Sequence, residues 1–330
     1  MGFMFIRNRC KVKKTEQGED SEQTLTELET YLEEHKEEIT GLLLILWADQ
    51  KTALTPEEVQ AVIEADGVPL LLLETWRQDY SHFVRNYLEP LWQGAAQAGQ
   101  RAAENSISLS EAPGQNSDFL DADALVFRWI REHGAELVTN STESQRQSIK
   151  WILEESVREK MSAEQLAGRI RQTIGLTRPQ TAANHRYYTN ALNRLRREHP
   201  DMEERAVLQR ARAAAERYRK KQLKSRALTI ARTEIAMAYN QGLDAAVRYY
   251  TGLGFMGPKV RKIWVAARGD RACEICRALD KHYADLDDTI TAEYKKTVYK
   301  KEVKRTAASF IPPAHPRCAC SLKYEEAKEE

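Results

Sequence analysis

Apolar residues recur along this chain mostly at helical intervals. Leu25, Leu28, Leu32, Ile39 and Leu43 lie three, four or seven positions apart, so they share one face of an amphipathic helix. Trp47, Trp76, Tyr80, Phe83, Tyr87 and Trp92 follow at spacings that suit a helical core better than a binding surface. Helix starts are marked by their chemistry. Thr55-Pro56-Glu57-Glu58 offers an N-cap hydroxyl, a proline at the first turn and a capping-box glutamate. Thr142-Glu143-Ser144-Gln145, Ser162-Ala163-Glu164-Gln165 and Thr177-Arg178-Pro179-Gln180 repeat the device. Gly175 is placed to close the helix that opens at Ser162, and His199-Pro200 to end the one that opens at Thr177. A β-prone stretch appears only late, at Lys262-Ile263-Trp264-Val265-Ala266-Ala267.

Residues 104–120 are polar, turn-rich and poorly periodic, and mark a boundary. The expected architecture is mainly α. A flexible basic tail (1–20) precedes an N-terminal helical domain (21–104) and a linker (105–120). A central basic helical domain (121–255) follows, then a small α+β module (256–330) closed by a Cys/His cluster. No repeat of solenoid length is evident. Thirty per cent of the 330 residues are charged, while glycines number 15 and prolines 10. That balance points to long helices rather than a large β-sandwich or a Rossmann-type enzyme.

The longest apolar run, Gly41 to Ala48, is too short to span a bilayer. The opening residues, Met1 to Arg7, lack a secretory apolar core with a cleavage site. A reducing cytoplasm is therefore the expected setting, and no membrane partner is expected. There is no Walker loop, no G-x-G-x-x-G, no G-x-S-x-G elbow and no H-E-x-x-H. No small-molecule substrate and no catalytic residue are assigned. His82 and His133 lie alone in helical segments and receive no role.

The net charge of +1 hides strong segregation. Arg7, Arg9, Lys11, Lys13 and Lys14 precede residues 15–40, where ten acids stand against the single Lys36. A solvated tail and a charged helix face account for both. From Arg186 to Arg232, fourteen Lys and Arg stand against five Asp and Glu. Arg194, Arg197, Arg210, Arg212, Arg217, Arg219, Lys220, Lys221, Lys224 and Arg226 are the candidate double-stranded DNA contacts, with Tyr187, Tyr188 and Tyr218 interleaved. A basic surface attracts phosphates through counterion release without reading sequence. A solvated helix face laced with pairs to Glu203, Glu204 and Glu216 uses the same residues. No base-reading helix is recognisable.

Four of the five cysteines lie in two pairs, Cys273-Glu274-Ile275-Cys276 and Cys318-Ala319-Cys320, separated by 41 residues. His315 stands three residues ahead of the second pair. Tetrahedral zinc, a disulfide or reduced thiols are the three readings. A divalent cation offsets the cost of gathering several thiolates, and Pro312, Pro313 and Pro316 stiffen the second loop. Cys273, Cys276 and Cys318 with either His315 or Cys320 would complete a closed structural site. Alternate residues of a strand point to opposite faces, so Cys318 and Cys320 need a bend to share a metal. Neighbouring carboxylates show no general-base spacing, so a catalytic metal is not expected.

Three motifs in order, Arg232-Thr233-Glu234 in a helix, Asp270 to Cys276, and Pro312-Pro313-Ala314-His315-Pro316-Arg317-Cys318-Ala319-Cys320, resemble the phage head morphogenesis family. These are minor head proteins similar to the Mu F protein. The resemblance covers about residues 140–325. It departs at Ala319, where the family usually has Arg, and in a lysine-rich stretch from His282 to Phe310 that looks longer than the family core. The resemblance implies a non-enzymatic virion component of a tailed phage head, assembled in the host cytoplasm. Its partners would be the portal, capsid or scaffold proteins, with the genome close by.

Arg232 and Glu234 are two residues apart on a helix and cannot face each other. They are expected to be polar anchors, with Arg232 reaching a carboxylate in the Cys-bearing module. Asp270 is expected to form a turn that caps backbone amides. Two rivals remain. One is a metal-dependent nuclease using His315 with Asp285, Asp287 and Asp288. The other is a connector that touches portal and scaffold without meeting DNA.

Overall fold

The structure, a computed structural model, describes residues 19–107, 119–256, 259–269, 272–298 and 301–326. Residues 1–18 of the expected tail, 108–118 of the expected linker, and Asp270 lie outside it. The chain is mostly helical, as expected. Its helices are α1 (Glu19–Ala53), α2 (Pro56–Glu64), α3 (Leu70–Phe83), α4 (Glu89–Ile107), α5 (Phe119–Glu159), α6 (Ala163–Thr173), α7 (Arg178–Glu198) and α8 (Glu204–Gly252). A π-helical turn, Val84–Leu88, joins α3 to α4. The sheet-containing end comprises β1 (Val260–Val265), α9 (Glu274–Leu279), β2 (Tyr283–Asp285), β3 (Ile290–Val298), β4 (Lys301–Ser309) and β5 (Ser321–Glu326).

Thr55, Ser162 and Thr177 each form the expected capping box, and Pro56 and Pro179 sit in the first turns of α2 and α7. Thr142 does not start a helix. It lies inside α5, where its hydroxyl donates to the Val138 carbonyl 2.9 Å away. Buried Val126, Ile130, Val138, Ile149 and Ile152 carry the apolar stripe straight past it.

Packing groups the chain into two compact units of discontinuous segments. Met1–Glu37, Glu89–Arg131 and Thr229–Glu330 form the first; Glu38–Leu88 and Glu132–Leu228 form the second. Three of the divisions fall inside α1, α5 and α8, where no turn-rich composition marks them, and the fourth falls where the π-helical turn meets α4. The linear division at 105–120 expected from composition is a different cut.

In the first unit, Leu28 and Leu32 of α1, Ala102 and Ala103 of α4, and Ile235, Tyr239, Leu243 and Val247 of α8 share a core with Trp264, Cys276, Leu279, Cys318, Cys320 and Leu322. Helices α4 and α8 cross with their main chains touching. A Cβ at Gly99 would overlap the Tyr239 carbonyl oxygen, and one at Gly242 the Ala96 carbonyl oxygen. Strand β1 lies between β2 and β5, antiparallel to both. Its inward face carries Val260, Lys262 and Trp264. Strands β3 and β4 form a separate two-stranded ribbon.

In the second unit, Leu54, Val59, Val62, Leu72, Trp76, Ile149, Ile152, Leu166, Ile170 and Ile174 form a core. The Trp47 indole N–H donates to the Tyr80 hydroxyl at 3.1 Å. Of the aromatic set expected in the core, Trp47, Trp76, Tyr80, Phe83 and Trp92 are buried, but Tyr87 is exposed. Gly175 follows α6 at φ +79, a left-handed conformation that favours glycine.

Candidate metal centre and basic surface

Cys273 is the N-cap residue of α9, and Cys276, three residues on, lies on the same side. The second pair arrives on an irregular loop. Residues 318–320 precede β5 rather than belong to it, and Arg317 stands at φ +64. This is the bend that a C-x-C pair needs. It is held from α8: the Arg317 backbone N–H donates to the Thr233 hydroxyl at 3.0 Å, and its guanidinium Nε to the Thr229 hydroxyl at 2.6 Å.

The thiols and the imidazole converge. Nε2 of His315 lies 3.0 Å from Sγ of Cys273 and 3.0 Å from Sγ of Cys276. Sγ of Cys276 lies 3.6 Å from Sγ of Cys318. Two triads result, Cys273–Cys276–His315 and Cys276–Cys318–Cys320, each with donor atoms within 4.8 Å of one another, and Cys276 is common to both. The His315 Nδ1 sits 2.8 Å from the Pro316 carbonyl. With the proton on Nδ1 that approach is a hydrogen bond and leaves the Nε2 lone pair aimed at the sulfurs. The Cys320 sulfur also accepts the Ala267 backbone N–H at 3.4 Å.

All four described cysteines are free thiols, so no disulfide joins the pairs. Cys276, Cys318 and Cys320 are almost fully buried. Hydrogen bonds from Cys276 and then Cys320 hold the Cys318 thiol down to about 3. The bond to Cys318, a further bond to Cys320 and burial push the Cys276 thiol far up. Cys320 goes up to about 12: its bond with Cys276 lowers it, but its bond with Cys318 and burial outweigh that. Three sulfurs this close cannot all ionise alone, and the cluster could hold a metal ion that lets them.

The segment carrying the second pair is moored to one stripe of α8. Asn240 Nδ2 donates to the Cys320 carbonyl at 3.2 Å, and the Ser321 hydroxyl donates to Asn240 Oδ1 at 3.1 Å. The Tyr324 hydroxyl donates to Asp244 Oδ1 at 2.7 Å. Thr229, Thr233, Asn240 and Asp244 recur at intervals of four, seven and four, which is one helix face. One of the expected anchors has a different partner. Arg232 pairs with Glu33 of α1 at 3.0 Å, not with a carboxylate in the Cys-bearing segment. Glu234 is buried. Thr233, between them in the same motif, accepts the Arg317 backbone N–H of the loop; the motif marks the place, but not that its hydroxyl makes the contact.

Lys262 is a second residue that sequence reasoning misses. Its alternation with Val260 and Trp264 places it on the core face of β1, fully buried. Its ammonium donates to the Leu286 carbonyl at 2.9 Å and lies 3.3 Å from the centre of the Phe310 ring. Burial pulls it down to about 8 against the attraction of Asp244. Nearby, Arg248 bridges Asp244 at 2.6 Å and Asp287 at 2.5 Å. The acids grouped with His315 in the nuclease reading are thus engaged elsewhere: Asp287 with Arg248, and Asp285 beside Arg261 at 3.9 Å. Among the described residues, none of Asp285, Asp287 and Asp288 joins His315 in a metal-binding group.

The basic residues of the second unit divide. Arg219 and Arg226 do not offer their charge to a polyanion. Arg219 is buried and donates to the carbonyls of Gln172 and Ile174, each at 3.0 Å. Arg226 donates to the Gly175 carbonyl at 2.5 Å and lies over the Trp47 ring. Both close the C-terminal end of α6, whose last carbonyls have no partners within the helix. Burial holds both guanidiniums below their ordinary value. The other candidates are exposed: Arg194, Arg197, Arg210, Arg212, Arg217, Lys220, Lys221 and Lys224. Arg210, Arg217, Lys221 and Lys224 fall within one stripe of α8. Arg212, Arg219 and Arg226, seven apart, fall on the opposite side. The interleaved tyrosines pack within the helices: Tyr187 stacks on Tyr218 at 4.6 Å, and Arg169 lies 3.4 Å over Tyr188.

A family model described as Phage Mu protein F like protein matches residues 147–323, just over half of the chain. The chain belongs to this family. The matched residues run from α5 into β5 and take in Arg232-Thr233-Glu234 and every member of the thiol cluster. Membership points to a phage head morphogenesis protein. Searches of curated proteins and of solved structures find no match. Among the described residues no helix is long and apolar enough to cross a membrane.

Proposed function

We propose that this chain is a minor head protein of a tailed phage or prophage, present in few copies near the portal. It helps to build the head, meets portal and capsid or scaffold proteins, and touches the packaged duplex without reading its sequence. The observation that carries this reading is the family match spanning both α8 and the thiol cluster. The cluster would hold a structural zinc ion through Cys273, Cys276, His315 and Cys318. Tetrahedral zinc with these donors needs donor–donor separations of about 3.5–3.8 Å; Cys276 and Cys318 stand 3.6 Å apart, and the His315 ring, 3.0 Å from Cys273 and from Cys276, would draw back by about half an ångström to admit the ion. Zinc bound there would cross-link α9 to the loop ahead of β5 and supply no chemistry beyond that.

The DNA-binding role is assigned to Arg210, Arg217, Lys221 and Lys224. These share one exposed stripe and have no ion-pair partner among the described residues. The test is to delete the gene from the phage or prophage that carries it and to analyse purified particles by mass spectrometry. The chain should appear in wild-type particles at low copy number, and its loss should cut the yield of infectious particles. Particles that lack the chain while infectivity is normal would overturn the reading.

A further inference from the structure

The lysine-rich stretch from His282 to Phe310 contains the β3–β4 ribbon, whose two faces differ in a way that composition hides. The register pairs Ile290 with Ser309 and runs to Val298 opposite Lys301. At its base Ile290, Ala292 and Ala307 are buried and share the core of Cys276 and Leu279. Beyond the base, Glu293, Lys295, Lys296, Thr297 and all residues from Lys301 to Thr306 are exposed, and Tyr294 is half-buried. A two-stranded ribbon open on both faces is marginal in water by itself. At about 3.4 Å per residue the stretch from Glu293 to Val298 reaches about 20 Å.

Directly opposed residues share a face, and successive residues alternate. One face of the exposed part carries Glu293, Lys295, Glu302 and Lys304, whose charges cancel. Lys295 pairs with Glu302 there at 3.0 Å. The other face carries Tyr294, Lys296, Lys301, Val303 and Arg305 and no acid of its own. Lys296 alone among these approaches a carboxylate in the described residues, Glu274 of α9, at 4.0 Å with both side chains half exposed. The net charge of the exposed ribbon therefore lies on one side, next to an aromatic ring and a β-branched side chain.

We infer that the Tyr294–Lys296–Lys301–Arg305 face of the β3–β4 ribbon is a second nucleic-acid surface, a basic arm that lies along the phosphate backbone of duplex DNA. Charge complementarity selects a polyanion. A two-stranded ribbon also matches the width of a major groove. Tyr294 packs on the core and seats the ribbon; exposed Val303 packs against sugars, while the cations release counterions. The arm is distinct from the helical stripe assigned above, so either surface can fail alone.

The test uses the full chain, a random-sequence duplex and fluorescence anisotropy across about 50–300 mM salt. Lys296→Gln/Lys301→Gln/Arg305→Gln should weaken binding about tenfold or more and flatten the salt slope by about 0.9 for each phosphate no longer neutralised. Lys295→Gln/Lys304→Gln, on the neutral face, should change affinity less than about threefold. Thermal melting of both variants should match the wild type. A triple variant that binds like wild type, or equal weakening from both faces, would overturn the assignment. So would a wild-type chain that retains no duplex even at low salt, which would leave the face to an acidic protein. A helical variant, Arg210→Gln/Arg217→Gln/Lys221→Gln/Lys224→Gln, is run alongside. Weaker binding there with an unchanged triple variant sinks the arm alone, and the reverse sinks the helical stripe alone.

Discussion

The thiol-bearing end of the chain and the basic helices teach opposite lessons about inferring chemistry from a sequence. Near residues 273–320 the chemistry lies in spacing, and Cys273, His315, Cys318 and Cys320 each bring a donor atom within 4.8 Å of the Cys276 sulfur. Between Arg194 and Arg226 the feature is a count, and the counted residues split. Eight of the ten candidate DNA-binding residues are exposed, whereas Arg219 and Arg226 turn inward to close α6. A ligand set constrains position because a metal needs its donors together. A charge total does not, since a guanidinium can donate to buried carbonyls as well as to a phosphate.

The sharpest way to break the contrast is at Cys276, the corner shared by both triads. Cys276→Ser should abolish metal binding by elemental analysis and destabilise the chain by about 3 kcal/mol or more. Cys320→Ser should keep the metal, because the proposed set of Cys273, Cys276, His315 and Cys318 is already four-coordinate without it. Chelator should lower the melting temperature of the wild type but not of Cys276→Ser. Equal melting with and without chelator, and no metal in the purified protein, would leave the spacing without its chemistry.

The next effect in size separates inward from outward arginines. Arg219→Ala and Arg226→Ala should each cost about 2–4 kcal/mol, because they strand the carbonyls of Gln172, Ile174 or Gly175. Arg217→Ala and Lys224→Ala should stay within about 0.5 kcal/mol. Chemical denaturation of the four variants decides it. Similar losses in all four would erase the distinction between the two faces of α8.

The smallest effect concerns Lys262 and pH. Burial lowers it to about 8 in the folded chain, against about 10.4 for an ordinary lysine. Between those values the unfolded chain binds more protons, so this group makes stability rise with pH there. Below about 8 both states hold the proton and its penalty is constant. Melting of wild type and Lys262→Met across that window should shift the difference towards the wild type as pH rises. A difference that does not move would mean that Lys262 titrates normally.

Much of the fold is legible in the sequence because local chemistry and packing agree. Thr55, Ser162 and Thr177 announce helices that do start there. Thr142 carries the same signature yet sits mid-helix, since the apolar stripe of α5 outweighs a cap worth about 1 kcal/mol. The thiol cluster is legible from its motifs, but its mooring is not. Thr229, Asn240 and Asp244 look unremarkable singly, and with Thr233 of the motif they become a docking stripe only when projected on a helix. The same projection sets Arg212, Arg219 and Arg226 apart from Arg210, Arg217, Lys221 and Lys224. Strand alternation puts Lys262 on the core face of β1. The two units are not legible, because three of their four divisions fall inside continuous helices and the fourth at a π-helical turn that no sequence signal announces.

The β3–β4 ribbon has one further consequence. Each strand pairs only with the other among the described residues, so each leaves an outer edge of unsatisfied amides and carbonyls. Such edges recruit strands from other copies. Lysines along this ribbon make that self-association repulsive, and ions in solution mask the repulsion. Concentrated stocks of the protein would therefore be kept monodisperse by dilute buffer and driven to clump by brine, the reverse of what is usual for a chain with little net charge.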